Sequence, residues 1–161
     1  KGIELIDVPV SGSEAGAKAK TMAYMAGGSA RAFEKCRPLF ETSGPAERIT
    51  HCGQLGSGIR AKLAHQLIIC VNLLAASEGM RLGVTSGLAP EILQKVVHDG
   101  AAQSRVADGW FSGRMNANAV PVFYKDLQLC LKFARELGLS VPGAALAQQL
   151  VDQLVPGARK D

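Results

Sequence analysis

The sequence predicts a mainly α-helical protein, in which a short α/β segment over residues 1–52 precedes an all-helical bundle domain over residues 53–161. Short β-branched runs bounded by glycine or serine lie only before Gly53, whereas apolar residues at helical spacing dominate after it. Aromatic residues are only 5% of the chain, so the interior must be built mainly from Ala, Leu, Val and Ile, which favours closely packed helices. The 161 residues suit about one domain, and a core of that size needs no disulfide or metal.

The first 52 residues contain three predicted strands and one predicted helix. The strands cover residues 3–10, 21–26 and 47–52. Ser29 predicts an N-cap for a helix from Ala30 to about Thr42. Three strands are too few to bury both faces of a sheet, so this segment is expected to end a larger α/β domain or to lie against the helices. Because the chain enters its first strand after only two residues, we expect a fragment of a longer protein.

After Gly53 the patterned segments are all predicted to be helical. The predicted helices cover residues 57–84, 91–99, 125–137 and 142–155. The first carries Leu63, Leu67 and Leu74 at the spacing of a buried helical stripe. Glycine or proline follows each helix and is typical of a helix end. Residues 102–115 are polar and mixed, and they predict no clear element.

Charge and composition exclude several classes of protein. The 18 Lys and Arg residues and 14 Asp and Glu residues give a net charge of +4, and the basic residues are scattered, so no nucleic-acid partner is expected. The most apolar run, residues 67–76, is interrupted by Asn72 and too short for a bilayer, so no membrane partner is expected. The cysteines lack the spacing of a zinc site, and Cys70 and Cys130 fall in apolar helical runs. We therefore expect no metal, a reducing environment and a cytoplasmic location.

A first candidate site follows the first predicted strand, at Ser11-Gly12-Ser13. Such a loop presents a hydroxyl and several backbone N–H groups, and Gly12 allows the backbone to approach an anion closely. The pattern suits a substrate carboxylate, and it is also typical of an ordinary turn.

A second candidate opens the long helix, in the segment GSGIRAKLAHQ from Gly56 to Gln66. It lacks the Lys-Ser/Thr pair of a Walker A loop and the third glycine of a dinucleotide-binding turn. It predicts instead a glycine-permitted entry into a helix. Lys62 and Gln66 then lie four residues apart on one helical face, with His65 adjacent. A surface lysine at a helix start fits the same spacing.

A third candidate is Lys125-Asp126-Leu127, at the predicted start of a later helix. Asp126 suits a helix N-terminus, whereas the positive helix dipole disfavours the cation of Lys125 there. This placement indicates another task for Lys125, although a Lys-Asp pair near a helix start is unremarkable by itself.

In this order, the three candidates resemble the β-hydroxyacid dehydrogenases, the family of 3-hydroxyisobutyrate dehydrogenase, tartronate semialdehyde reductase and L-threonate dehydrogenase. The stretch DVPVSG at residues 7–12 is similar to a sequence typical of that family. The segment from Gly56 to Lys62 resembles its catalytic-lysine motif, and residues 125–127 resemble its late Lys-Asp-Leu motif. The resemblance covers essentially the whole chain.

The resemblance implies an NAD(P)-dependent oxidoreductase that transfers hydride between a nicotinamide cofactor and a small β-hydroxy acid. Residues 1–52 would be the C-terminal remnant of a Rossmann-type dinucleotide-binding domain, and residues 53–161 the helical substrate and dimerisation domain. The glycine fingerprint of the nucleotide domain is missing from this sequence. We therefore expect NAD or NADP to bind mostly through a missing N-terminal half, and this chain alone to be inactive.

The resemblance also assigns individual residues. Lys62 matches the catalytic lysine, which accepts the hydroxyl proton in oxidation and donates it in reduction. The Ser11-Gly12 pair matches the loop that holds the substrate carboxylate. Gln66 and His65 stand where the family has substrate-binding asparagines, and Lys125 matches a lysine that reaches the nicotinamide side of the cofactor.

The sequence departs from the family's pattern at two places. Ser13 stands where a second glycine is common, and His65 and Gln66 replace asparagines. Gln66 keeps an amide that can orient a substrate, whereas His65 has a different shape and can titrate. These departures are expected to change which substrate binds rather than which reaction is catalysed. His65 and Gln66 would suit a sugar acid as the substrate.

Other classes of protein remain beside the enzyme. A non-catalytic dimerisation or scaffold module of the same fold has no need of Lys62, and the related imine reductases lack that lysine. An anion- or nucleic-acid-binding module is indicated only by the isoelectric point of about 9.0. Because the long helix is apolar on more than one face, we expect a homodimer through the helical domain.

Overall fold

The computed structural model describes residues 2–112 and 117–155. Its strands and α-helices, in chain order, are β1 (Val10–Ser11), α1 (Ser13–Lys18), β2 (Ala23–Gly27), α2 (Ala30–Phe40), β3 (Ile49–Gly53), α3 (Ser57–Thr85), α4 (Pro90–Asp99), α5 (Arg105–Asp108), α6 (Val120–Glu136) and α7 (Pro142–Leu154). Short 3-10 helices cover Ala46–Arg48, Trp110–Ser112 and Ala117–Ala119. The chain divides into two compact units, Lys1–Ala64 and His65–Asp161, and α3 runs through both. The predicted mainly helical fold is confirmed, while the predicted domain limit after residue 52 stays a prediction.

The first unit is built on one small sheet in the order β1-β2-β3. β1 is antiparallel to β2, whereas β2 and β3 are parallel and are connected through α2. A strand, a helix and a parallel strand form the repeating unit of Rossmann-type domains. Ser29 caps α2 as predicted, since its hydroxyl accepts a hydrogen bond from the backbone N–H of Ala32. The apolar core of this unit consists of Ala26, Phe33, Phe40 and Ile49.

The start of the chain differs from the prediction in one strand and contains one helix that was not predicted. The predicted strand over residues 3–10 shrinks to Val10–Ser11 and one isolated bridge between Asp7 and Gly27. Pro9 lies between them and has no N–H to donate, which interrupts the ladder. The residues after Ser11 also continue into α1 rather than into a plain turn.

The second unit is helical, and small side chains let its helices approach closely. Its largest buried cluster joins the middle of α3 to α6 and α7, and its buried members include Cys70, Leu73, Leu127, Ala144 and Ala147. The helices predicted over 57–84, 91–99 and 142–155 are confirmed to within a residue at each end. Of the unassigned residues 102–115, the structure places Arg105–Asp108 and Trp110–Ser112 in short helices, and residues 113–116 lie outside those described.

The start of α6 differs from the prediction. The helix begins at Val120 rather than at Lys125, with Pro121 in its first turn, where a missing N–H leaves no intrahelical partner unsatisfied. Lys125 therefore lies in the second turn, and the predicted conflict between its charge and the helix N-terminus is wrong.

By length and composition alone, α3 is long and apolar enough to cross a membrane. The apolar character extends well beyond residues 67–76, and the expectation of no membrane partner stays a prediction. Core helices of soluble proteins meet the same criterion, so one such helix carries little weight. Several apolar side chains of α3 remain exposed, among them Ile68 at 57% and Leu82 at 73%.

Candidate active site

Lys62 lies half-buried in the second turn of α3, and the start of that helix is held by Asp7. The Asp7 carboxylate accepts a hydrogen bond from the N–H of Gly56 at 2.6 Å and another from the N–H of Ile59 at 2.7 Å. These N–H groups have no partner within the helix, and the positive end of the helix dipole favours a carboxylate there. Asp7 thus caps a helix that begins 50 residues later and fixes the turn that precedes Lys62.

Gly27 and Gly58 allow Asp7 to reach the start of α3, because the backbone segments lie in close contact at both glycines. A Cβ atom on Gly58 would collide with the carbonyl oxygen of Met25 and with Asp7. A Cβ atom on Gly27 would collide with the Asp7 carboxylate and with the backbone nitrogens of Ser57 and Gly58. The second glycine of the GSG segment therefore serves the packing of α3 against the end of β2.

The predicted Ser11-Gly12 loop joins β1 to α1. Gly12 has φ of 151°, and a Cβ atom there would meet the sulfur of Met22. Ser13 has φ of 57°, in the left-handed region that glycine adopts without steric cost. This conformation explains why a second glycine suits the position where this chain has Ser13. Asp7 belongs to the same short segment, so one stretch of chain carries both the predicted carboxylate loop and the cap of α3.

In the second unit, three predicted site residues meet around a carboxylate. The Gln66 amide nitrogen donates to Asp126 Oδ2 at 2.5 Å, and Lys125 Nζ lies 3.1 Å from Asp126 Oδ1. His65 Nδ1 lies 3.2 Å from the side-chain oxygen of Gln66. Gln66 is only 6% exposed and the Asp126 side chain 13%, whereas the Lys125 side chain is 66% exposed.

Asp126 is the functional candidate that sequence reasoning missed. The Lys-Asp-Leu motif contains it, but the sequence predicts only that Asp126 suits a helix N-terminus, whereas α6 begins six residues earlier, at Val120. The helical spacing within residues 62–66 could not reveal it, because its partner Gln66 lies 60 residues away in sequence. The structure thus brings His65, Gln66 and Lys125 together in one unit and leaves Ser11, Gly12 and Lys62 in the other; their union in one site stays a prediction.

The buried cysteines lie close to this carboxylate and are poor nucleophiles. Burial, with smaller contributions from Cys130 and Asp126, raises the pKa of Cys70 to about 12. Burial and Asp126 also raise the pKa of Cys130. The reading of both as small core residues is confirmed. Among residues 2–112 and 117–155, no group of three or more His, Cys, Asp or Glu side chains is arranged to hold a metal ion.

The chain folds as a parallel βαβ unit followed by a series of helices, and Lys62 lies in the second turn of the long helix α3. A family model described as the NAD-binding domain of NADP-dependent 3-hydroxyisobutyrate dehydrogenase matches residues 56–161. A second, the NAD binding domain of 6-phosphogluconate dehydrogenase, matches residues 1–53. The chain therefore belongs to the β-hydroxyacid dehydrogenase family, as the sequence motifs predicted.

Individual relatives support the same assignment. The chain is 34% identical to 2-hydroxy-3-oxopropionate reductase of Escherichia coli strain K12, over 92% of this chain and 52% of that protein. The crystal structure of 3-hydroxyisobutyrate dehydrogenase from Salmonella typhimurium matches with a TM-score of 0.80 and 28% identity, over 93% of this chain and 54% of that one. The structure of Psf3 in complex with NADP+ and 2-OPP matches with a TM-score of 0.74 and 28% identity, over 97% and 56%. The chain thus spans about half the length of the curated relatives it matches.

Proposed function

We propose that this chain is the C-terminal portion of an NAD(P)-dependent dehydrogenase that transfers hydride between a nicotinamide cofactor and a small β-hydroxy acid. The observation that carries the proposal is the placement of Lys62. It lies in the capped first turns of α3, four residues before Gln66, which is held by Asp126 in a hydrogen bond of 2.5 Å. A scaffold module of the same fold has no use for this arrangement.

Lys62 would hold and move the proton of the reacting hydroxyl. In oxidation its neutral amine accepts that proton, and in reduction its ammonium donates it, so one group serves both directions. The Ser11-Gly12 loop would bind the substrate carboxylate through its hydroxyl and backbone N–H groups, and Gln66 would orient the substrate through its amide. A carboxylate anchored at one end and a hydroxyl held at Lys62 leave the reacting carbon one defined position.

Lys125 fits a role beside the cofactor. Its ammonium keeps a partner in Asp126 while two thirds of its side chain stays accessible, so an amide or phosphate oxygen of a dinucleotide can reach it. When bound, the nicotinamide ring supplies the hydride chemistry. The relative with NADP+ bound favours NAD or NADP as the group.

A spectrophotometric assay tests this function. The chain is expressed with any sequence that precedes Lys1 in its gene and supplied with NAD+ or NADP+ and a panel of hydroxy acids. We expect reduced cofactor to form with β-hydroxy acids and not with their α-hydroxy isomers that lack a β-hydroxyl. No turnover with any β-hydroxy acid, with binding of both cofactors absent, would favour the scaffold module instead.

We also propose that the helical unit self-associates as a homodimer. Exposed apolar side chains on α3 and α4 support this, since water-exposed surface of that kind on neighbouring helices is typical of an interface; they include Ile68, Leu82, Ile92 and Val96. The remaining proposals are a cytoplasmic location and the absence of metal, nucleic-acid and membrane partners, which rest on composition and charge pattern alone.

Light scattering after size-exclusion chromatography tests the homodimer. We expect twice the monomer mass of 16.9 kDa at micromolar concentration, and a shift toward monomer in Leu82→Gln. Leu39→Gln is the matched control, because Leu39 is similarly exposed on a helix of the first unit. A monomer at every concentration would contradict the proposal.

A further inference from the structure

The segment from Asp7 to Ser11 is tied to β2 at both of its ends. Asp7 and Gly27 exchange two backbone hydrogen bonds, at 2.9 and 2.8 Å. Three residues further along, Val10 pairs with Tyr24, and β1 ends at Ser11. The loop that follows Ser11 therefore starts from a fixed point on the sheet.

The Asp7 side chain extends this connection to α3. Each of its oxygens accepts one N–H at the start of that helix, from Gly56 at 2.6 Å and from Ile59 at 2.7 Å. Lys62 follows Ile59 by three residues, which is less than one helical turn. Asp7 is therefore joined through its backbone to β2 and through its carboxylate to the helix that carries Lys62.

We propose that Asp7 is a positioning residue, which sets the separation between the Ser11-Gly12 loop and Lys62 and thereby selects the position of the hydroxyl in the substrate. This rests on the dehydrogenase proposed above, in which the loop binds the carboxylate and Lys62 takes the hydroxyl proton. An acid reaches both groups only when the number of carbons between its carboxylate and its hydroxyl matches that separation. A misplacement of about 1 Å can lower a rate about 10²-fold, so one additional carbon is enough for selection.

A purely structural cap leads to a different expectation. Its loss would destabilise the folded chain and lower activity toward every substrate by the same factor. Loss of a positioning residue changes the ratio of kcat/KM between substrates, because that ratio compares how well two transition states are bound. The acids 3-hydroxypropanoate and 4-hydroxybutanoate suit this comparison, since they differ by one methylene group between the carboxylate and the hydroxyl.

Asp7→Glu in the active protein tests the separation directly. Glutamate keeps the charge and both acceptor oxygens, but it lengthens the connection to α3 by one methylene group. We expect the ratio of kcat/KM for 3-hydroxypropanoate over 4-hydroxybutanoate to fall about tenfold or more. Asp152→Glu, on the exposed surface of α7, is the matched control and should leave the ratio unchanged. An unchanged ratio in folded Asp7→Glu would overturn the proposal.

Asp7→Asn keeps the test available should the longer side chain prevent folding. It replaces one acceptor oxygen by an NH₂ donor, so one of the two bonds to α3 is lost and the helix start is held less tightly. We expect the same ratio to fall about threefold or more, because the hydroxyl of the shorter acid is no longer held at one position. Equal losses of kcat/KM for the two acids would leave Asp7 as a structural cap and would overturn the proposal.

Amide hydrogen exchange tests the connection in the same protein without any need for turnover. The N–H groups of Gly56 and Ile59 are bonded to Asp7, so we expect at least one of them to exchange about tenfold or more faster in Asp7→Asn. The N–H of Phe33, bonded at 2.9 Å to the carbonyl oxygen of Ser29 in the same unit, is the internal reference for any change in overall stability.

The two measurements separate failure of this proposal from failure of the proposed function. Exchange at Gly56 and Ile59 that stays unchanged relative to Phe33 would overturn the role of Asp7. If the dehydrogenase is wrong, neither acid is turned over by the unaltered protein, while the exchange at Gly56 and Ile59 still responds to Asp7→Asn. That result would overturn the selection of substrate and leave Asp7 as a cap of α3.

Discussion

The two parts of α3 are held in opposite ways. Its first turn is fixed by the Asp7 carboxylate and by close backbone approach at Gly58, and apolar burial contributes little there. Its middle is fixed by apolar side chains such as Cys70 and Leu73, which are fully buried. The part that carries Lys62 therefore depends on hydrogen-bond geometry and tolerates no added atom. The part beyond Gln66 depends on volume and burial.

The largest loss of stability is expected when a large side chain is shortened in the middle of α3, which is held by apolar burial. Leu73 has no exposed surface, so Leu73→Ala is expected to lower the free energy of unfolding by about 3 kcal/mol through lost burial and a residual cavity. Urea denaturation measures this change. Ile68→Ala, which trims an exposed side chain of the same helix, is the control and should cost well under about 1 kcal/mol. Equal losses in the two variants would contradict the division of α3 into two parts.

The first turn of α3, which depends on hydrogen-bond geometry, should lose stability when one methyl group is added. Gly58→Ala places a Cβ atom against the Met25 carbonyl and Asp7, so something must shift, and we expect a loss of about 2 kcal/mol. Gly79 lies in the same helix with open space around its Cα. There, alanine should be neutral or stabilise by about 0.5–1 kcal/mol through helix propensity. Thermal or urea unfolding of this pair isolates the close approach, and a Gly58→Ala as stable as Gly79→Ala would refute it.

The cap itself should contribute less. The Asp7 oxygens accept one hydrogen bond each from the N–H groups of Gly56 and Ile59. Asp7→Asn keeps the shape but removes the negative charge and replaces one acceptor oxygen by an NH₂ donor, so we expect a loss of about 1–2 kcal/mol in the free energy of unfolding. Asp152→Asn, on the exposed surface of α7, should change stability by less than about 0.5 kcal/mol. Were both substitutions equally mild, Asp7 would not hold the start of α3.

Thiol reactivity sharpens the comparison without changing the fold. Burial raises the pKa of Cys52, and Asp7 contributes further. Burial also raises the pKa of Cys70 and Cys130, which are buried in the second unit. A thiolate is the reactive species, so a higher pKa slows alkylation. With iodoacetamide at pH about 8, mass spectrometry should show half-buried Cys36 modified first, Cys52 later, and Cys70 and Cys130 only after unfolding. Fast labelling of Cys70 in folded protein would contradict the buried packing of α3.

Periodic features of the chain were predictable, and contacts between distant residues were not. The stripe through Leu63, Leu67 and Leu74 predicted α3 almost to its ends, because helical spacing is a local property. The start of α1 was missed, since Ser13 adopts a left-handed conformation that serine seldom takes.

The same limit applies to the candidate site. Lys62, Gln66 and Lys125 were identified from short motifs, but the partners that orient them were not. Asp7 reaches the start of α3 across 49 residues, and Asp126 reaches Gln66 across 60. No local sequence pattern indicates that a carboxylate contacts a residue so distant in sequence, so these roles become visible only in the folded structure.

The central claim is that Lys62 moves the substrate proton, and steady-state kinetics of Lys62→Ala in the active protein test it most directly. Lys132→Ala, an exposed lysine of α6, is the matched control. We expect kcat to fall by on the order of 10² or more in Lys62→Ala, with the circular dichroism spectrum unchanged, and to stay within about twofold in the control. A near-normal kcat in folded Lys62→Ala would contradict the account and leave Lys62 with a structural role only.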